Sequence, residues 1–210
     1  MDTDDFVARH PRLYHLAHAD SWPGLQRHGL LSASQLVHLF DAPQTAEGGE
    51  VLEQRRPEPV ELDHPEHGTA VLRDQRTLNE TKLATALAEG MTVQQWLRLL
   101  NDLAFFFPTE EGLAGLVKVY GHEPVVVLTV KTSSLVRKHE VWVRLASINT
   151  GSVLYKPASR GKETFLSIRR FDKTKRVKEV AVEGGVPDLM NHLWKAERWL
   201  PNGTRESLHP

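Results

Sequence analysis

The chain has 210 residues, of which 40% are hydrophobic and 25% charged, with a net charge of −1 and no cysteine. That length suits one core with one large loop, and the ordinary composition argues against a disordered chain. The near-neutral charge argues against a non-specific coat on nucleic acid, the missing thiols exclude disulfides and thiolate chemistry, and no apolar run nears the roughly 18 residues of a membrane span.

The opening Met1-Asp-Thr-Asp-Asp5 is acidic and lacks the basic-then-apolar order of a secretory signal, so the expectation is a cytoplasmic protein. Residues 13–16 alternate as a short strand. From Ser21 to Gly29 the signals are those of a compact helix, with Ser21 as N-cap, Pro23 in the first turn and Gly29 suited to the left-handed closing position. A second helix follows over about 32–39. The stretch from Asp41 to Gly68 is rich in Pro, Glu and Gly, and a loop this long reads as a flexible insertion.

Asn79 is a candidate N-cap for a helix running to about Glu89. Thr92 with Gln95 three residues on makes a capping box for the next helix, which carries Trp96, Leu97 and Leu100. Leu103 to Phe107 is an apolar run too short for a helix, stopped by Pro108, and Thr109 with Glu110 and Glu111 opens another helix that Gly121 ends. Four β-rich segments come next, at 124–130, 141–145, 163–168 and 179–182. An amphipathic helix over about 188–200 is expected to close the chain. Helices gather mainly in the first half and strands in the second, which predicts an α+β fold over a single domain, 1–210, and not a doubly wound parallel sheet.

Familiar sites are missing: there is no GxGxxG and no GxSxG, and Ser159-Arg-Gly-Lys162 lacks the remainder of a phosphate-binding loop. His15 with His18, and His64 with His67, are three apart, a spacing that suits zinc only on a helix with a third ligand. They fall on a strand end and in a loop, so no metal is expected. On an extended 179–183, Glu179, Ala181 and Glu183 share one face, and Val180 and Val182 take the core side. Glu179 is then either a solvent-facing carboxylate or one set over a small residue with room for a ligand. The basic run at 169–178 is either a solvated turn or a phosphate-contacting rim.

Tyr14-His-Leu-Ala-His18 followed by Gly24-Leu-Gln-Arg-His-Gly-Leu30 resembles the N-terminal signature of DarT-type ADP-ribosyltransferases. Asn101-Asp-Leu-Ala-Phe-Phe-Phe-Pro108 resembles that family's aromatic strand, and Lys178-Glu-Val-Ala-Val-Glu-Gly-Gly-Val-Pro187 resembles the strand bearing its catalytic glutamate. The chain is more similar still to an uncharacterised bacterial family related to these enzymes, through Arg73-Asp-Gln75, Leu99-Leu-Asn101, Ile148-Asn-Thr-Gly-Ser152 and Gly184-Gly-Val-Pro-Asp188. It departs from the DarT pattern at Ala17, where a hydroxyl residue is usual, and in the long separation of Arg73 from the aromatic strand.

The resemblance implies an ADP-ribosyltransferase-like split β-sheet core that uses NAD as substrate to modify a DNA or RNA acceptor, as a monomeric toxin with a partner antitoxin and no membrane. It implies Glu179 as the catalytic carboxylate, His15 on the nicotinamide-side ribose, Arg73 on a phosphate, and Asn149, Thr150 and Ser152 along the NAD pocket. Lys173, Lys175, Arg176 and Lys178 become an acceptor-binding rim. Plainer readings stay open: Arg73 in an ion pair with Asp74 or Glu80, Asn149-Thr150-Gly151 as an ordinary turn, and Phe105 to Phe107 as core. An NAD-dependent RNA 2′-phosphotransferase-like enzyme and a catalytically silent binding module are the alternative functions.

Overall fold

The run from Val125 to Val130 is so apolar that both faces of its strand must be covered, and Val126, Leu128 and Val130 are fully buried. The computed structural model describes residues 1–42, 49–153 and 158–209. In chain order the first elements are α1 (Thr3–Arg9), β1 (Arg12–His18), α2 (Trp22–His28), β2 (Leu30–Leu31) and α3 (Ala33–Leu39). Then come α4 (Gly49–Glu53), β3 (Val60–His64), β4 (Gly68–Leu72), α5 (Glu80–Ala84), α6 (Val93–Asn101) and β5 (Leu103–Phe106). The rest is α7 (Glu110–Tyr120), β6 (Val125–Lys131), α8 (Thr132–His139), β7 (Val143–Ala146), β8 (Leu166–Ser167), β9 (Glu179–Glu183), β10 (Gly185–Val186), β11 (Leu193–Trp199) and β12 (Arg205–His209). Among the described residues no helix is long and apolar enough to cross a membrane.

Two four-stranded antiparallel sheets carry the fold, ordered β1-β6-β11-β12 and β5-β9-β7-β8. They join where Tyr14 and Phe107 exchange backbone hydrogen bonds of 2.9 and 2.7 Å, which sets β1 beside β5. The main core lies between them and includes Phe106, Leu128, Val130, Leu145, Val180 and Val182. A separate cluster seats α6 through Trp96, Leu97 and Leu100, and another seats α7 through Leu113 and Tyr120 against Leu16 and Val127. The fold is α+β, with mainly antiparallel pairing and strands in both halves of the chain.

Local signals account for most of these elements. Ser32, Asn79, Thr92 and Thr109 each accept a backbone N–H at a helix start, and Thr92 with Gln95 completes the capping box. Ser21 is different: it is helical itself and makes no capping bond, because a short turn over Ala19–Ser21 leads directly into α2 and His18 accepts the Asp20 N–H.

Three expectations need correction. The segment from Asp41 to Gly68 is not a structureless insertion, although residues 43–48 of it lie outside the described residues. It holds α4 and the first strand of a hairpin, β3 with β4, and Leu52, Leu62, Ala70 and Leu72 pack on Val37 and Phe40. Among its described residues Ala42, Val51, Leu52, Val60 and Leu62 all join this cluster. The helix from Asn79 stops at Ala84 because the next backbone groups are taken elsewhere: Arg160 N–H donates to Ala86 O at 2.8 Å, and Ala88 N–H donates to Arg160 O at 2.7 Å.

The third correction concerns the terminal helix, which is the strand β11 instead. The register against β6 slips between Leu193 and Lys195, so one extra residue bulges out. Leu193 and Ala196 then share the buried face although they are three apart, which imitates a helical period. In addition, the extended segment at 163–168 shrinks to β8 after a turn over Lys162–Thr164, and α8 was not anticipated.

Gly29 ends α2 with φ of 75°, and a Cβ there would stand 2.4 Å from the carbonyl oxygens of Pro187 and Val186. Gly29→Ala is expected to cost about 3 kcal/mol in urea unfolding, since both the positive φ and backbone contact resist relief. Wild-type stability in that variant would contradict the close approach.

Candidate functional site

A cleft of about 510 Å³ opens where β1, β4, β5, α7 and the 149–152 segment converge, within the range of small-molecule sites. His15, Arg73, Asn149, Thr150, Ser152 and Glu179 all line it. Its remaining wall is largely apolar and includes Leu100, Phe105, Phe107 and Leu116.

Glu179 sits at the start of β9, only 6% exposed, so it is not a solvent-facing carboxylate. Val180 and Val182 do take the main core side, but the opposite face is covered as well. Among the described residues the hydrogen bonds to the carboxylate all fall on Oε2, from the Thr150 N–H at 3.1 Å and the Thr150 hydroxyl. Burial pushes Glu179 up to about 7, against the pull of Thr150 and Arg160. The group therefore changes charge near neutrality, which suits a proton acceptor.

His15 lies on β1 with Nδ1 2.7 Å from Phe105 O. A carbonyl can only accept, so Nδ1 carries the proton and Nε2 keeps its lone pair. Burial lowers the ring to about 4, with Phe105 opposing and Arg73 adding to the shift. His15 is thus a neutral hydrogen-bond acceptor at neutral pH.

Arg73 follows β4, and its guanidinium lies 4.2 Å from the centre of the Tyr120 ring. Among the described residues no carboxylate is within ion-pair distance of it. Asp74 is held by Arg76 at 2.8 Å and by the Tyr120 hydroxyl at 2.7 Å, and the alternative left open by the sequence, an ion pair of Arg73 with Asp74 or Glu80, does not form. Burial and its acceptor on Asp74 push Tyr120 up to about 12, which keeps the hydroxyl a donor. Asn149, Thr150 and Ser152 belong to a turn, and Arg160 straps it by donating to Asn149 O at 3.1 Å and Ser152 O at 2.8 Å.

Two residues that support the cleft were not foreseen. Arg160 is 2% exposed, and its one signal in the sequence is Ser159-Arg-Gly-Lys162, which reads as an incomplete phosphate loop. Arg56 is buried in the segment read as a flexible insertion. It donates to Val51 O at 2.7 Å, Asn101 Oδ1 at 2.9 Å and Arg73 O at 3.1 Å, so it pins the backbone that carries Arg73. Burial lowers it to about 10, still cationic at neutral pH.

Lys173, Lys175, Arg176 and Lys178 are exposed on the turn before β9, and none lines the cleft. Lys175 instead borders a second depression of about 850 Å³ whose charged lining is balanced, with Lys162 and Arg170 beside Glu89, Glu163 and Asp172, and Arg170 is paired with Glu163 at 2.6 Å. Ser147 and Ile148 line that depression, and the next residues, Asn149 and Thr150, line the cleft. One short segment therefore separates the two.

A family model described as a family of unknown function, DUF7002, matches residues 11–193, which take in every cleft residue named above. The chain belongs to the DUF7002 family. No curated protein matches it.

The raised Glu179 fixes a sign for the pH dependence of this DUF7002 chain. Its folded value of about 7 exceeds the ordinary 4.5, so its neutral form favours the fold and stability falls as pH rises through that window. Glu179→Gln is expected to match wild type at about pH 4 and to exceed it by about 3 kcal/mol at about pH 8 in urea unfolding. His15 shifts the other way, losing stability as pH falls from 6.5 towards 4, but it is common to both proteins and cancels in the difference. A difference that does not grow with pH would contradict a buried, raised carboxylate.

Proposed function

We propose that this DUF7002 chain is a mono-ADP-ribosyltransferase that consumes NAD and modifies a nucleic-acid acceptor. The observation that carries the reading is the meeting, in one largely apolar cleft, of a carboxylate raised to about 7, a neutral imidazole with a free lone pair, and an arginine that has no carboxylate partner among the described residues. The resemblance of the flanking sequence blocks to DarT-type enzymes supports the same assignment.

The chemistry follows from those groups. The C1′–N bond between ribose and nicotinamide breaks, nicotinamide leaves with the bonding pair, and positive charge builds on the ribose. Glu179, ionised and poorly hydrated, stabilises that charge in a low-dielectric setting. The acceptor's nitrogen or oxygen then bonds to C1′ and gives its proton to the Glu179 carboxylate. His15 Nε2 accepts from a ribose hydroxyl, Arg73 faces phosphate oxygens, and the Asn149 to Ser152 turn closes the wall. The exposed turn with Lys173, Lys175, Arg176 and Lys178, which runs directly into Glu179 at the start of β9, would receive the acceptor strand.

Incubation with labelled NAD and single-stranded DNA or RNA tests this. Label is expected on the acceptor, and Glu179→Ala is expected to lower transfer by roughly 10²- to 10³-fold, with the melting temperature within a few degrees of wild type. Full activity in that variant would overturn the assignment. Reversing the charge of Lys175 and Arg176 together is expected to weaken acceptor binding more than NAD binding, both measured by calorimetry, and equal losses would contradict an acceptor on that side.

A further inference from the structure

Away from the cleft, three side chains distant in sequence converge. His139 ends α8, Asp188 follows β10, and His192 follows the turn Leu189–Asn191 before β11. His139 Nε2 is 2.6 Å from Asp188 Oδ1, and His192 Nε2 is 3.2 Å from Asp188 Oδ2. One donor atom from each residue lies within 4.8 Å of the others. None of the three lines the NAD-assigned cleft.

His192 gives the cluster its direction. The residue is 3% exposed, and its Nε2 makes no hydrogen bond despite the nearby carboxylate oxygen. Its other nitrogen, Nδ1, is 2.7 Å from Ser134 Oγ, whose hydroxyl reaches the Asn191 carbonyl at 3.4 Å. Nδ1–H can donate to that Oγ while the hydroxyl donates on to the carbonyl, and this tautomer offers the Nε2 lone pair to a cation. Between the unbonded Nε2 and the Asp188 carboxylate there is then a place where a cation is attracted by both.

We propose that His139, Asp188 and His192 form a mononuclear zinc site. Two imidazole nitrogens and one carboxylate oxygen are a donor set that zinc accepts, and Ser134 orients one ring from behind, as hydrogen-bond partners of metal-bound histidines do. Donors around tetrahedral zinc stand about 3.3 Å apart, so the cluster needs only small side-chain shifts, with the His139 proton moving from Nε2 to Nδ1. The side chains of His139 and Asp188 are 12% and 26% exposed, which gives the ion a path in and leaves a fourth position for water. Zinc there would tie α8 to the β10–β11 connection. Sequence spacing hides the site, because 139, 188 and 192 form no short motif.

Zinc chloride titrated calorimetrically into tag-free protein tests this. One zinc per chain is expected, with binding weakened at least about 100-fold in His192→Ala and Asp188→Asn and about 10- to 100-fold in Ser134→Ala. Asp188→Asn keeps the shape of a partly exposed side chain and serves if His192→Ala fails to fold. Zinc is also expected to raise the melting temperature of wild type and not of Asp188→Asn. No binding would overturn the site, and so would binding of equal strength in Asp188→Asn, which would assign the zinc to other histidines among the eleven.

Discussion

Glu179 is a carboxylate that folding has taken out of water without supplying a full set of partners. Among the described residues its hydrogen bonds come from Thr150, and Arg160, the cation that pulls on it, donates to backbone carbonyls of the same turn. A group buried this way is costly when ionised, and the cost is what sets its charge change near neutrality. Such an arrangement lowers stability at neutral pH, and perturbed groups of this kind cluster at functional sites.

The rest of the cleft depends on how the two sheets join. The Tyr14–Phe107 exchange fixes β1 against β5, and this register delivers the Phe105 carbonyl to His15 and so decides which ring nitrogen is left free. On the other side, Arg56 holds the Arg73 carbonyl and Asn101 together, tying the hairpin region to the end of α6. Moving any of these three backbone segments would separate the carboxylate, the imidazole and the guanidinium.

Much of this was legible in the residues. Caps at Ser32, Asn79, Thr92 and Thr109 mark their helices because capping is local chemistry. The strand at 125–131 is visible from its apolar run. Glu179 with Ala181 opposite Val180 and Val182 could be read from alternation, yet alternation cannot say that the second face is also covered. What stayed hidden was decided at a distance: the bulge that gives β11 a helix-like period, the diversion of Ala86 and Ala88 to Arg160, and the docking of Arg56. The cluster of His139, Asp188 and His192 was hidden for the same reason, since its residues meet only once α8 and the β10–β11 connection pack.

The most direct test of the central claim is a crystal structure of the chain soaked with NAD. The account predicts the nicotinamide-side ribose in the cleft, in contact with the Glu179 carboxylate and His15 Nε2, with the diphosphate toward Arg73. NAD seated in the larger depression beside Lys162 and Lys175, or no NAD bound at saturating concentration, would contradict it.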